Sequence, residues 1–221
     1  MKRILRILLY HLLSLIFVGF LLLPIYQMVV TALKPATSAW SIPPTLYPHT
    51  VTFENFFNMW DIVPRLPLYL ANSFIYGIGV AIVSLLIGVP AAYGLSRFEM
   101  KWKNPLLVLL IYGNMFAPIM LLVPLQESLS LVGLTNTYAG MILAGSIFTT
   151  PFSTWLLVSY FRNIPIDLEE AAFVDGANRW KVLTKIVLPL TVPALIAVGI
   201  YAFITGWSQQ FLLALVLVQN D

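Results

Sequence analysis

The chain of 221 residues contains no cysteine. That excludes disulfides, iron–sulfur clusters, thiolate zinc sites and thiol nucleophiles together. Its two histidines, His11 and His49, stand 38 residues apart and form no cluster for a metal. Charge is also scarce: Asp, Glu, Lys and Arg make up 10% of the chain, and 60% is hydrophobic. Soluble domains run near 25% charged and 45–50% apolar, so this composition does not furnish a water-facing surface. The class is integral membrane, and long apolar runs make it helical.

Runs of about 20 apolar residues are what a spanning helix requires. Five segments meet that need: 7–33, 71–95, 105–125, 138–161 and 188–218, the last with a break. None of them holds an Asp, Glu, Lys or Arg. The expected fold is therefore all-α, a polytopic membrane helix bundle. Lys2, Arg3 and Arg6 ahead of the first run resemble a secretory signal. A signal core is only about 7–15 residues long, and this run is longer, so a retained first helix is expected.

Ten of the twelve basic residues fall on one side of these spans, at the N-terminus and in the second and fourth connections. Only Lys34 and Arg65 fall on the other. The positive-inside rule makes the N-terminus cytoplasmic. The net charge of +3 thus reports topology and not nucleic-acid binding.

Within the spans, Gly77, Ala81, Ser84, Gly88 and Ala92 lie on one helical face, where small side chains permit close backbone approach. Tight packing is the first reading of that stripe, and a sliding surface the second. Pro24, Pro90, Pro118, Pro124, Pro151 and Pro193 interrupt the spans, which suits a bundle around a pathway. Candidate pathway residues are the uncharged polar groups Asn72, Ser73, Asn114, Ser153, Gln209 and Gln210, with interhelical hydrogen bonding as the plainer role. Ion-coupled carriers keep ionisable groups within the membrane. Their absence here implies that any energy for transport enters from outside the spans. The outer segment 34–70 is rich in Pro and aromatics, among them Trp40, Pro43, Pro44, Phe53, Phe56 and Trp60. Interfacial anchoring is its first reading, and docking of an external protein its second.

The cytoplasmic connection 162–189 is the most informative segment. Pro165 followed by Asp167, Glu169 and Glu170 reads as a helix start, with acids against the positive end of the dipole. Leu168, Ala171, Ala172 and Asp175 share one narrow face, Gly176 suits a left-handed stop, and Asn178 suits the cap of a second helix running to Ile186. A plain amphipathic interfacial loop is the simpler reading of the same pattern.

Glu170-Ala171-Ala172, then Asp175-Gly176-Ala177, Ile186, Leu188-Pro189 and Pro193, resembles the EAA loop of binding-protein-dependent ABC importer permeases. Phe53-Glu54-Asn55-Phe56, Asn72-Ser73, Ala91-Ala92-Tyr93, Arg97-Phe98, Gly133-Leu134 and Asn136-Thr137-Tyr138 are similar, in order, to its carbohydrate-uptake, maltose-type branch. The resemblance implies a permease subunit of an ATP-driven sugar importer in a bacterial or archaeal cytoplasmic membrane. Its implied partners are a second permease, two ATPase subunits, an extracytoplasmic solute-binding protein, the sugar and membrane lipid. It also implies that Glu169, Glu170, Ala171, Ala172, Asp175 and Gly176 couple to an ATPase. No cofactor is expected on this chain; ATP and Mg belong to the partner, since no Lys follows a Gly here and the phosphate-loop motif is absent. A permease for glycerol phosphate or peptides, and an ion-coupled carrier, are the alternatives.

Two departures qualify the resemblance. Trp207-Ser208-Gln209-Gln210-Phe211 carries an amide where the family has an acid, so that acid's role does not transfer. The chain also ends at Asp221, where the family continues into a sixth span, and a partial chain is the expectation.

Overall fold

In a computed structural model the described residues are 2–39, 45–115 and 117–217. Trp40, Pro43, Pro44 and the last residue of the fifth apolar segment, Val218, lie outside them. No strand occurs among the described residues. The chain divides into two units, residues 1–68 and 69–221.

In the first unit, α1 (Lys2–Ala32) is followed by a short turn of helix, α2 (Ala36–Ala39), and by α3 (Glu54–Ile62). Pro24 lies inside α1 without ending it. The last carbonyls of any helix need partners from outside, and Asn55 supplies one for the final residue: its Nδ2 donates to Ala32 O at 2.9 Å, and also to Lys34 O just beyond the helix at 2.7 Å. Lys34 is itself buried, and its Nζ donates to Thr45 O at 2.7 Å. One of the two basic residues on the outer side is thus a structural tether.

The second unit is built on α4 (Leu66–Arg97), whose first residues close the first unit, and on α7 (Tyr138–Arg162) and α11 (Val192–Leu217). These three pass the length and apolarity expected of a membrane span, as does α1. The third apolar segment differs from the single span read in the sequence. It forms α5 (Lys103–Gly113) and α6 (Pro118–Leu131), bent by 98°. Pro118 explains the restart: it lacks an N–H to donate and its fixed φ suits a first helical turn. The described spans number four, or five if this bent pair is one.

The small-residue stripe of α4 is a packing face. Gly77, Ser84, Gly88 and Ala92 are all buried. A Cβ at Gly77 would press into the Phe203 ring of α11, and one at Gly88 would meet Thr154 of α7 at 3.3 Å. Ser84 and Thr149 share a hydrogen bond of 2.5 Å between α4 and α7.

Candidate functional site

Between α7 and α11 the chain forms α8 (Asp167–Val174), α9 (Arg179–Val182), a π-helical stretch (Leu183–Val187) and α10 (Leu188–Leu190). The turn ending α8 follows from its sequence. Gly176 adopts φ +79, Ala177 N donates to Ala172 O at 2.9 Å, and Gly176 N donates to Phe173 O at 3.0 Å. This is the paired closure of a Schellman motif, and it needs a left-handed residue where only Gly is free of a Cβ penalty. Asn178 then caps α9, its Oδ1 accepting from Lys181 N at 2.8 Å. The second helix of the loop departs from the expected α-helix to Ile186: after Val182 it widens into the π-helical stretch.

The two adjacent glutamates of α8 have opposite surroundings. Glu170 is exposed, with Leu168, Ala171, Val174, Asp175 and Gly176. Glu169 is 2% exposed. Its Oε1 accepts from Arg97 Nε at 2.6 Å and its Oε2 from Tyr93 Oη at 2.9 Å. Arg97 also donates through Nη2 to Ile164 O at 3.2 Å, and its own side chain is 8% exposed. Beyond the turn, the Arg179 guanidinium lies 4.6 Å from the Phe98 ring and 5.5 Å from that of Phe173, within cation–π range. Ala172 and Ala177 are half-buried against a core that includes Ala92, Tyr93, Leu95, Val158 and Phe161. The small-residue face read in the sequence is therefore divided: Leu168, Ala171 and Asp175 point out, and Ala172 points in.

At the opposite end of α4, a cleft of about 460 Å³ is lined by Tyr69, Asn72 and Tyr76 of α4, by Asn136, Thr137, Tyr138 and Met141 at the start of α7, and by Gln210 and Ala214 of α11. Its lining has no charged residue. Tyr138 Oη donates to Asn72 Oδ1 at 2.7 Å across the cleft. Tyr76 is 1% exposed. By the charge asymmetry of the connections this is the outer end.

Of the six candidate pathway residues, the structure gathers Asn72 and Gln210 in this cleft. The other four lie apart from it. Ser73 Oγ donates to Tyr69 O within its own helix, and Asn114 Nδ2 to Leu110 O. Ser153 is fully buried and the Gln209 Oε1 atom is buried. Sequence reasoning missed Tyr69, Tyr76 and Tyr138 as cleft-lining groups, because a tyrosine near a span end reads first as an interfacial anchor.

Residues 62–220 match the family described as binding-protein-dependent transport system inner membrane component. The chain is 38% identical over 194 residues to the sulfoquinovosyl glycerol transport system permease protein of Agrobacterium fabrum, covering 88% of this chain and 67% of that one. It is 33% identical to the diacetylchitobiose uptake system permease protein of Streptomyces coelicolor, over 91% and 66% of the two chains. The trehalose transport system permease protein of Mycobacterium tuberculosis is 34% identical, over 88% and 70%. The chain thus spans about two thirds of the length of these curated relatives. A crystal structure of a bacterial ABC transporter involved in the import of the acidic polysaccharide alginate contains a chain that superposes with a TM-score of 0.76. It is 25% identical, over 99% of this chain and 75% of that one.

Proposed function

The chain belongs to the binding-protein-dependent transport system inner membrane components, and from that premise we propose that it is a permease subunit of an ATP-driven sugar importer. It contributes half of the translocation pathway and is itself not catalytic. The observation that carries the reading is α8: a capped helix on the cytoplasmic side that presents Leu168, Glu170, Ala171 and Asp175 outward and is turned back sharply at Gly176. Exposed leucine and alanine beside two acids, outside the spans, suit insertion into another protein's cleft better than contact with water. ATP and Mg are bound by that partner, an ATPase subunit, because this chain lacks the phosphate-binding loop.

The sugar assignment is supported by the relatives' own substrates and by the chemistry of the outer cleft. The exposed rings of Tyr69 and Tyr138 offer flat faces to the C–H face of a pyranose, and Asn and Gln side chains both donate and accept hydrogen bonds, as vicinal hydroxyls require. An uncharged lining suits a neutral glycoside. Solute arrives from an external binding protein, and a second permease supplies the other half of the pathway. Reconstitution of the chain with a second permease, an ATPase and a binding protein tests the reading directly. Uptake of radiolabelled neutral sugars is expected only with internal or accessible ATP. Gradient-driven uptake by this chain without any ATPase would overturn it.

A further inference from the structure

We propose that Glu169, Arg97 and Tyr93 form a tie that makes the coupling helix α8 and the cytoplasmic half of α4 one rigid body, with Glu169 a positioning residue and not a contact to the ATPase. This rests on the transport reading above. Both oxygens of the Glu169 carboxylate are engaged, one by Arg97 Nε at 2.6 Å and one by Tyr93 Oη at 2.9 Å. The two donors sit one helical turn apart on α4, so the carboxylate is held against a single face of that span. Arg97 also holds the segment leading into α8, through Ile164 O at 3.2 Å. One guanidinium therefore fixes both the approach to the helix and its first turn.

The far end of α8 is held independently. Arg179 stacks near Phe98, the neighbour of Arg97, and near Phe173 on α8 itself. Ala172 and Ala177 close the remaining side against Ala92, Tyr93 and Leu95. Burial matters to the argument. An exposed ion pair is screened by salt and exchanges freely with water, whereas this pair is 8% and 2% exposed and is not. Charge-assisted hydrogen bonds at such a site are short and directional, which is what a link without slack requires. A partner that displaces α8 thereby displaces α4, whose outer turns line the cleft with Tyr69 and Asn72. Glu170 remains exposed one position on, free to meet the ATPase.

The absence of native cysteine makes the test clean. Asp167→Cys on α8 and Leu86→Cys on α4 place two nitroxide labels on exposed positions. The labelled chain is assembled into the full importer in lipid nanodiscs, with partners freed of cysteine. Electron–electron dipolar spectroscopy then reads the distance without nucleotide and with Mg-ATP. The otherwise unaltered chain is expected to give one narrow distance, the same in both states. Glu169→Gln and Tyr93→Phe are expected to lose it, giving broadened or nucleotide-dependent distances while the complex still hydrolyses ATP. Tyr93→Phe removes only a hydroxyl, so it decides the matter if Glu169→Gln does not assemble. A shift of the unaltered distance on Mg-ATP binding overturns the proposal, as do variant distances that match the unaltered ones. A correctly assembled complex that hydrolyses no ATP overturns the transport reading itself, and the tie's purpose with it.

Discussion

The two ends of α4 are built in opposite ways. At the cytoplasmic end, Tyr93 and Arg97 are bound to a buried carboxylate on α8, with an ion pair of 2.6 Å at the centre. At the outer end, Tyr69, Asn72 and Tyr76 border a cleft with no charged lining, where one neutral bond joins Tyr138 to Asn72. The difference is one of strength and also of reversibility. A neutral hydrogen bond beside a solvated cleft trades for water at a net of about 0.5–1.5 kcal/mol. A buried pair that loses one member leaves an uncompensated charge, at about 3–5 kcal/mol. One end is fixed to α8, the helix that we propose meets an ATPase subunit. The other is joined by a bond weak enough to part, as the proposed passage of a solute requires.

The harshest test of the contrast is Glu169→Ala. It strands the Arg97 guanidinium, 8% exposed, without its carboxylate. A loss of roughly 3–5 kcal/mol in stability is expected, measured as a fall in the thermal midpoint in detergent and as new proteolytic cleavage in the α8 loop. Glu170→Ala, one residue on and exposed, should leave stability within about 0.5 kcal/mol of the parent, with the midpoint nearly unmoved, and weaken ATPase co-purification instead. Equal thermal midpoints for the two alanine variants would erase the distinction between the inward and outward glutamates.

Gly176→Val comes next. A Cβ at Gly176 meets nothing within 4 Å, so the cost is not a clash. It is the left-handed φ of +79 that a β-branched residue resists, at about 1–3 kcal/mol. The closing bonds from Ala177 and Gly176 to the last carbonyls of α8 would be strained together. Sugar uptake per ATP hydrolysed is expected to fall even where the complex assembles. Gly176→Asn, which tolerates the left-handed region, should retain most of it. If Val and Asn behaved alike, the turn's conformation would not be what coupling depends on.

These cytoplasmic features were unequally legible. The stop at Gly176 and the cap at Asn178 can be read from residue type and position, because both are local and the chemistry of a cap is carried by the capping residue itself. The inward turn of Glu169 cannot. Glu169 and Glu170 are both first-turn acids on a helix of eight residues, too short for periodicity to separate its faces. The partner, Arg97, lies 72 positions earlier. The break between α5 and α6 was hidden for a different reason: an apolar run of spanning length says nothing about whether it is straight, and proline is tolerated within spans, as Pro124 is inside α6. The outer cleft was half legible. Polarity within an apolar span singles out Asn72 and Gln210, but tyrosine does not stand out there. The split of basic residues supplied the topology, and only the folded chain supplied the bonding partners.

The outer end answers to smaller changes. Tyr138→Phe removes the hydroxyl that reaches Asn72 at 2.7 Å in an exposed setting. A stability change of only about 0.5–1.5 kcal/mol is expected, while the apparent KM for sugar uptake rises and the maximal rate holds. A thermal loss matching that of Glu169→Ala would mean the outer end is clamped as well, and the contrast would fail.

The smallest expected effect lies midway between the ends. Ser84 and Thr149 are both fully buried and share a bond of 2.5 Å, fastening α4 to α7 where neither end controls it. Interhelical hydrogen bonds in membranes average about 0.6 kcal/mol in double-mutant cycles, because the separated helices find other partners. Thr149 has such alternatives in its own helix, at Gly145 O and Ser146 O, each 3.4 Å away. A Ser84→Ala, Thr149→Val cycle measured by reversible unfolding in detergent should therefore return a coupling near that average. The close fit of Gly88 against Thr154 then holds the seam by contact, with the hydroxyl pair fixing its register. A coupling several times larger would place a second firm tie at mid-membrane. The outer turns of α4 would then move only by bending beyond Ser84, and the cleft would open without the span turning as one piece.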